Sequence, residues 1–250
     1  MPLRVSIITA TFNSASTIAD TMQSVGEQDY PLIEHIIVDG ESKDNTLQII
    51  KEFAHHISVI SEKDEGIYDA MNKGIRVAKG DIIGILNSDD VYMDPYVIST
   101  VVDLFRDPTV QCCYADLQYV DYRNAKRVTR VWKSGLYKSN SFYWGWMPPH
   151  PTFFVRKSVY EQFGLYNLSM RSAADYEMML RLLLKHQLKA SYFPRIIVKM
   201  RTGGMSNASV RNRLRANRED REAWRINGLK PYFFTLYLKP LRKITQFLKR

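Results

Sequence analysis

Apolar residues in the first hundred positions come in short runs, separated by stretches with helical spacing. Val5-Ser6-Ile7-Ile8-Thr9-Ala10 reads as a strand, and Thr11-Phe12-Asn13-Ser14 as the polar connection leaving it. From Ser16 to Val25, Ile18, Met22 and Val25 share one helical face. His35-Ile36-Ile37-Val38 is a second strand ending at Asp39-Gly40, and Ser42-Lys43-Asp44-Asn45 carries capping residues for a helix to about Phe53. Ile57-Ser58-Val59-Ile60 predicts a third strand and Ile67 to Ala78 a third helix. Asp81-Ile82-Ile83-Gly84-Ile85-Leu86 is a fourth strand that runs into Asn87-Ser88-Asp89-Asp90. Repeated βα units of this length predict an α/β fold with a parallel sheet and right-handed crossovers.

After about residue 110 the pattern changes. Gln111 to Val120 and Arg127 to Trp132 read as strands pairing around Asp121-Tyr122-Arg123-Asn124. Residues 140–152 form an aromatic, proline-rich loop. A helix is expected from Ala173 or Ala174 to Lys185, then a strand, Ile196-Ile197-Val198-Lys199-Met200, leading into Arg201-Thr202-Gly203-Gly204. With no internal repeat and no low-complexity linker, residues 1–206 read as one continuous domain.

Charge is unevenly placed. The chain of 250 residues has a formal net charge of +9. Residues 207–250 carry 12 Lys+Arg against 3 Asp+Glu, and residues 1–206 balance at 23 of each. A neutral body argues against a dedicated nucleic-acid-binding fold, whereas the basic tail calls for an anionic partner. In that tail, Pro231 to Leu238 is a short aromatic-apolar run with flanking Lys and Arg. Such a run is too short to span a bilayer and suits the headgroup boundary of an anionic leaflet. The competing expectation is a C-terminal helix packed on the domain. Cys112 and Cys113 are adjacent in a strand, so their side chains point to opposite faces and buried thiols are expected. Met1-Pro2-Leu3-Arg4 leads into a strand with no separate apolar leader. A cytoplasmic location, peripheral on the cytoplasmic face of the inner membrane, is the expectation.

Candidate chemistry gathers at strand ends. Asp39, Asp64 and Asp89-Asp90 follow strands two, three and four, and in a parallel sheet those exits share one edge, where ligands bind. Each carboxylate alone also suits a turn or a helix cap. Carboxylates at the exit of a buried strand are costly unless compensated, and a divalent cation is one compensation. Neither a Walker loop nor a G-x-G-x-x-G fingerprint follows strand one, so a nucleotide site here would use carboxylates and a metal instead of a glycine cradle.

Three segments, Ser6 to Asn13, Val38 to Thr46 and Asp81 to Asp90, resemble family-2 glycosyltransferases of the GT-A fold. So do Glu65-Gly66-Ile67-Tyr68-Asp69-Ala70-Met71-Asn72-Lys73-Gly74, Ala173-Ala174-Asp175-Tyr176-Glu177 and Arg201-Thr202-Gly203-Gly204-Met205-Ser206. The resemblance covers residues 3–206. It implies a nucleotide-sugar-binding half, 1–110, an acceptor half, 111–206, and an inverting hexosyl transfer from a UDP-linked donor to a glycan or lipid-linked acceptor in polysaccharide biosynthesis. It assigns Asp39 to the base, which an ionised carboxylate suits by accepting a uracil N–H. Thr9 and Thr11 go to donor contact, as do Asp64 and Asn72, the latter equally readable as a helix-face residue packing a loop. The D-x-D-type motif maps onto Asn87-Ser88-Asp89. Its first position is Asn, which removes a negative charge, so Asp89 is the expected ligand of Mg²⁺ or Mn²⁺, with Asp90 in support.

Asp175 takes the position of the family's general base. Glu177 lies about 200° further round a helix and cannot share that role. Trp146 and His150, in the aromatic loop, are candidates for an acceptor wall and for bonding acceptor or diphosphate, with a rigid packed loop as the plainer reading. Gly204, beside Gly203, is a candidate cover over the donor phosphates or part of a tight turn. Two other functions remain open on sequence. One is a sugar-1-phosphate nucleotidyltransferase, whose glycine- and arginine-rich loop is missing here. The other is a non-catalytic glycan- or membrane-binding protein of the same fold.

Overall fold

A computed structural model describes residues 2–53, 57–203 and 210–248. A nine-stranded sheet runs through it. The first four strands are β1 (Val5–Thr11), β2 (Ile33–Asp39), β3 (Ile57–Ser61) and β4 (Ile82–Ile85). They lie in the order β3-β2-β1-β4, all pairs parallel. Between them come α1 (Ile18–Gly26), α2 (Thr46–Ile50) and α3 (Ile67–Val77). Every residue of β1 and β4 is buried, which is why both read as unbroken apolar runs instead of alternating ones.

The second half closes the sheet with mixed pairing. After β5 (Val91–Tyr92) and α4 (Val97–Phe105) come the hairpin strands β6 (Cys112–Val120) and β7 (Val128–Trp132), antiparallel as expected. β8 (Phe154–Arg156) joins β4 to β6, antiparallel to both, and is followed by α5 (Lys157–Phe163). β9 (Ala190–Arg201) is longer than the run at 196–200 suggested, because it continues past Pro194 and pairs in parallel with β6 through a bulge. The expected helix at 174–185 begins as α6 (Ala174–Met179) and widens to π geometry over Leu180–Lys185.

Alternate side chains of the strands serve two cores. Ile8, Ala10, Ile83, Ile85 and Cys112 pack with α3, α5 and α6, while Val5, Ile7, Ile82 and Cys113 pack with α4. The two thiols are therefore free, buried and on opposite faces. Three layers result, and the exits of β1, β2 and β4 are left on one edge.

The basic tail docks on this body. α7 (Val210–Ile226) buries Ala223 and Trp224 in the first core, and the Trp224 indole N–H donates to the Tyr176 hydroxyl at 2.9 Å. α8 (Thr235–Leu248) is pinned by the Thr235 hydroxyl donating to the Tyr143 carbonyl at 2.7 Å and by Lys239 on Asp220 at 2.7 Å. Gly145, at φ 71°, lies so near the α8 backbone that a Cβ would come within 2.5 Å of the Lys239 nitrogen. Among the described residues no helix is long and apolar enough to cross a membrane. Trp224 is 1% exposed, so Trp224→Ala is expected to cost about 3–5 kcal/mol of unfolding free energy in a urea titration. A midpoint equal to wild type would mean that α7 is not part of the core.

Candidate active site

The site begins where β1 and β2 end. Thr11 and Asp39 are paired in register, and the Gly40 N–H donates to the Thr11 carbonyl at 2.9 Å. Asp39 is fully buried. Its carboxylate accepts from the Ser42 N–H at 3.1 Å, the Ser42 hydroxyl at 2.5 Å and the Ser61 hydroxyl at 2.8 Å. An ionised carboxylate has about four lone-pair sites, so these three donors leave one unfilled on a group with no exposed surface. The Asp64 carboxylate and the Phe12 ring both lie against Gly40, where the carboxylate occupies the space a Cβ would need. Phe12 is 60% exposed, an open aromatic face next to Asp39. Asn13 locks the two strand exits together: its N–H donates to Ser42 Oγ and its side-chain oxygen accepts from the Lys43 N–H, both at 2.8 Å.

The exit of β4 is a tight, buried turn. The Asp90 N–H donates to the Asn87 carbonyl at 3.0 Å, and the Thr21 hydroxyl holds the Asp90 carbonyl at 2.8 Å. Ser88 ties the turn to the β1 exit through the Ser14 hydroxyl at 2.8 Å. Asn87 donates to the Asp90 carboxylate at 3.3 Å, and Arg201, at the end of β9, donates to the Asp89 carbonyl at 3.0 Å while pairing with Asp20. Burial drives the Asp90 carboxyl well above the usual carboxylate range, with the Asp89 charge adding to it. Asp89 is raised as well, mainly by burial, against the pull of Arg201 and His150.

Four buried polar atoms around this edge find no partner among the described residues: Thr11 Oγ1, Asn87 Oδ1, Asp90 Oδ1 and Arg201 Nε. Such orphans are rare and costly unless a ligand completes them. No group of three or more His, Cys, Asp or Glu able to hold a metal occurs among the described residues. The oxygens of Asp89, Asp90 and Asn87 nevertheless suit Mg²⁺ or Mn²⁺, hard cations held by one or two carboxylates with phosphate and water completing the shell.

Beyond His150, α6 starts at Ala174 and presents Asp175. The Tyr68 hydroxyl of α3 donates to Asp175 Oδ1 at 3.1 Å, and His150 Nδ1 is 3.4 Å from Oδ2. The other nitrogen of His150 lies 3.4 Å from the Asn87 amide. His150 thus stands between the β4 turn and the Asp175 carboxylate. Glu177 points elsewhere, buried against Arg181 and Asn227.

Several residues assigned on sequence do other work. Thr9 is fully buried and its hydroxyl lies 3.0 Å from His35 Nε2, so it is a core contact and not a donor ligand. Asn72 is also buried, 1% exposed: its amide donates to the Tyr166 carbonyl and accepts from the Tyr166 N–H, both at 2.9 Å, so its work is packing against Tyr166 and not donor contact. Trp146 is core and not an acceptor wall. It packs among Tyr114, Tyr137 and Phe142, and its indole N–H donates to the Ser134 carbonyl at 2.7 Å. Gly204 falls outside the described residues. Thr11, Asp39, Asp64, Asn87, Ser88, Asp89, His150 and Asp175 do gather around the edge. Phe12, Tyr68 and Arg201 join them without having been singled out. For Phe12 the available signal was an aromatic residue at a polar strand exit.

The class these features define is a GT-A glycosyltransferase. The model of the family described as "Glycosyl transferase family 2" matches residues 6–164, and the chain belongs to that family. It is 28% identical over 210 residues to a PGL/p-HBAD biosynthesis glycosyltransferase of Mycobacterium bovis, covering 82% of this chain and 80% of the relative. It is 30% identical over 182 residues to chondroitin synthase of Escherichia coli, covering 71% of this chain and 26% of that one. Two solved structures share the fold. The mannosyltransferase PcManGT from Pyrobaculum calidifontis, in complex with GDP-Man and Mn²⁺, superposes with a TM-score of 0.68 at 19% identity, over 96% of this chain and 69% of that one. S. aureus TarS 1-349 in complex with UDP-GlcNAc gives 0.70 at 18% identity, over 90% and 65%.

Proposed function

We propose that this glycosyltransferase moves a sugar, with inversion, from a UDP-linked donor to a hydroxyl of a glycan or lipid-linked acceptor in polysaccharide biosynthesis. The observation that carries the reading is the shared edge: a corner at Thr11, Phe12, Asp39 and Asp64, an acidic turn at Asn87–Asp90, and Asp175 of α6 linked to that turn through His150. In that corner the uracil stacks on Phe12 and donates an N–H to the free lone pair of Asp39. Asp175 accepts the proton of the acceptor hydroxyl as its oxygen bonds to the anomeric carbon, and the bond from that carbon to the diphosphate oxygen breaks. Asp89 would hold Mg²⁺ or Mn²⁺, with Asn87 and Asp90 supporting the turn. The ion, when bound, supplies Lewis-acid neutralisation of the diphosphate charge. Two fold neighbours are complexes with nucleotide sugars, one of them with Mn²⁺, and a curated relative is named for synthesis of a polysaccharide.

The test is a panel of UDP-glucose, UDP-galactose, UDP-GlcNAc and GDP-mannose with Mn²⁺, read by thermal shift and nucleotide release. A donor that binds stabilises the fold by mass action. A UDP-sugar is expected to give the largest shift. Preference for GDP-mannose would overturn the UDP assignment, and silence from all four would overturn the donor-site reading.

The partner reading for the tail is an anionic bilayer surface. Docking of the tail leaves Phe233, just before α8, and Tyr237 and Leu241 of α8 exposed at 89%, 62% and 54%, with Phe234 linking the cluster to Trp144. Residues 226–250 contain six Lys or Arg and no Asp or Glu. Aromatic rings beside basic groups suit the headgroup region. Vesicles rich in phosphatidylglycerol are expected to sediment the wild-type protein at low salt, and Phe233→Ser with Leu241→Ser is expected to reduce that binding at least tenfold. Recovery in the supernatant with such vesicles would refute it.

A further inference from the structure

The segment Glu65 to Gly74 bears the family resemblance, yet nothing in donor binding accounts for it once Asn72 is found in the core. α3 offers another account. Tyr68 and Asn72 are four residues apart, hence on one helical face, and both reach across to the acceptor half. Asn72 clamps the Tyr166 backbone with two hydrogen bonds of 2.9 Å. The Tyr166 ring in turn stacks on Tyr68 with centroids 5.6 Å apart and planes at 25°. Tyr68 then directs its hydroxyl to Asp175 Oδ1 at 3.1 Å. Burial, followed by the Asp175 charge, pushes the Tyr68 phenol well above its ordinary range, so it stays protonated and can only donate to the carboxylate.

We infer that Tyr68 is a positioning residue for Asp175, and that Asn72 through Tyr166 fixes Tyr68 in place. This rests on Asp175 acting as the base. A carboxylate at the start of a helix has rotamer freedom, and a misplaced base loses rate steeply even where binding survives. With Tyr68 on one oxygen and His150 beside the other, Asp175 is held from both sides, from α3 of the donor half and from the loop before β8. The motif on α3 therefore couples the two halves of the enzyme: the helix that packs beneath the donor strands also sets the base that serves the acceptor.

The experiment is a double-mutant cycle on the full chain with Tyr68→Phe, Asp175→Asn and both together. Turnover is measured with whichever of UDP-glucose, UDP-galactose, UDP-GlcNAc or GDP-mannose is fastest with Mn²⁺, and UDP binding by calorimetry. Tyr68→Phe keeps the stacked ring and removes only the hydroxyl. It is expected to lower kcat about 10- to 100-fold, leaving donor KM, UDP affinity and the thermal midpoint near wild type. In the Asp175→Asn background the same change is expected to cost less than twofold. If Asp175→Asn is fully active, the base reading fails and the positioning role fails with it. If Asp175→Asn is inactive but Tyr68→Phe turns over at the wild-type rate, only the positioning role fails. An equal loss in both backgrounds would show that Tyr68 acts without Asp175, which also overturns it, and a matching fall in thermal midpoint would mean a structural role alone. Asn72→Asp, which keeps the acceptor oxygen but loses the donor, is expected to produce a milder fall in kcat with the same KM.

Discussion

Asp175→Asn is expected to lower kcat by about 10³-fold, the scale of a lost general base, while donor binding and fold survive. The substitution is nearly isosteric and the amide still accepts from the Tyr68 hydroxyl and meets His150, so the α6 entry keeps its shape. What disappears is the capacity to take the acceptor's proton. Steady-state turnover against UDP affinity separates the two effects. A drop in affinity that matched the drop in rate would place Asp175 in donor binding instead. Glu177→Gln provides the contrast. Its carboxylate is spent on Arg181 and Asn227 inside the protein, so that variant is expected to lose stability and to keep its kcat when folded.

Asp89→Asn is the second large effect. Lewis-acid assistance to a departing diphosphate is worth several kcal/mol, so kcat/KM is expected to fall by about 10²- to 10³-fold. The readout that does not depend on activity is Mn²⁺ itself: the thermal shift that Mn²⁺ with UDP gives the wild type is expected to vanish. Asp90→Asn differs in kind. Asp90 is fully buried, its charge is disfavoured by burial, and Asn87 and Thr21 hold it within the turn. Replacing it removes a buried group that favours the neutral form, so a smaller loss of activity is expected. Equal losses at positions 89 and 90 would show that both carboxylates hold the ion. Asn87→Asp would add a third carboxylate to a turn where two are already raised, and is expected to tighten Mn²⁺ binding with UDP.

The donor-side strands were legible because residues buried on both faces leave continuous apolar runs, and because parallel strands put their exits on one edge. That placed Asp39, Asp64 and Asp89 together without coordinates. Thr9 and Thr11 show where the reading stops. They are two residues apart on the same face of β1, and only the position of His35, on the neighbouring strand, decides that the first hydroxyl is spent and the second is not. Asn72 and Trp146 fail for the same reason: their partners, Tyr166 and Ser134, are set by tertiary packing with no periodic trace in the chain. Arg201 was visible only as part of a motif, because its role depends on β9 ending beside the β4 turn. The π segment after Met179 is invisible to hydrophobic spacing, since a single widened turn leaves Leu182 and Leu183 buried.

The docking of α8 bears on how far this enzyme can be trimmed. Every residue assigned to chemistry lies before position 202, which suggests an active fragment ending near there. Yet Tyr176, the residue after Asp175, is capped by the Trp224 indole and covered by the Lys239 ammonium, 3.5 Å above its ring. Cutting the chain at 206 would open that ring to water and loosen the first turn of α6. The smallest working catalyst therefore extends at least to Lys239 in α8, and truncation at 206 should silence turnover while sparing every residue that carries out the chemistry.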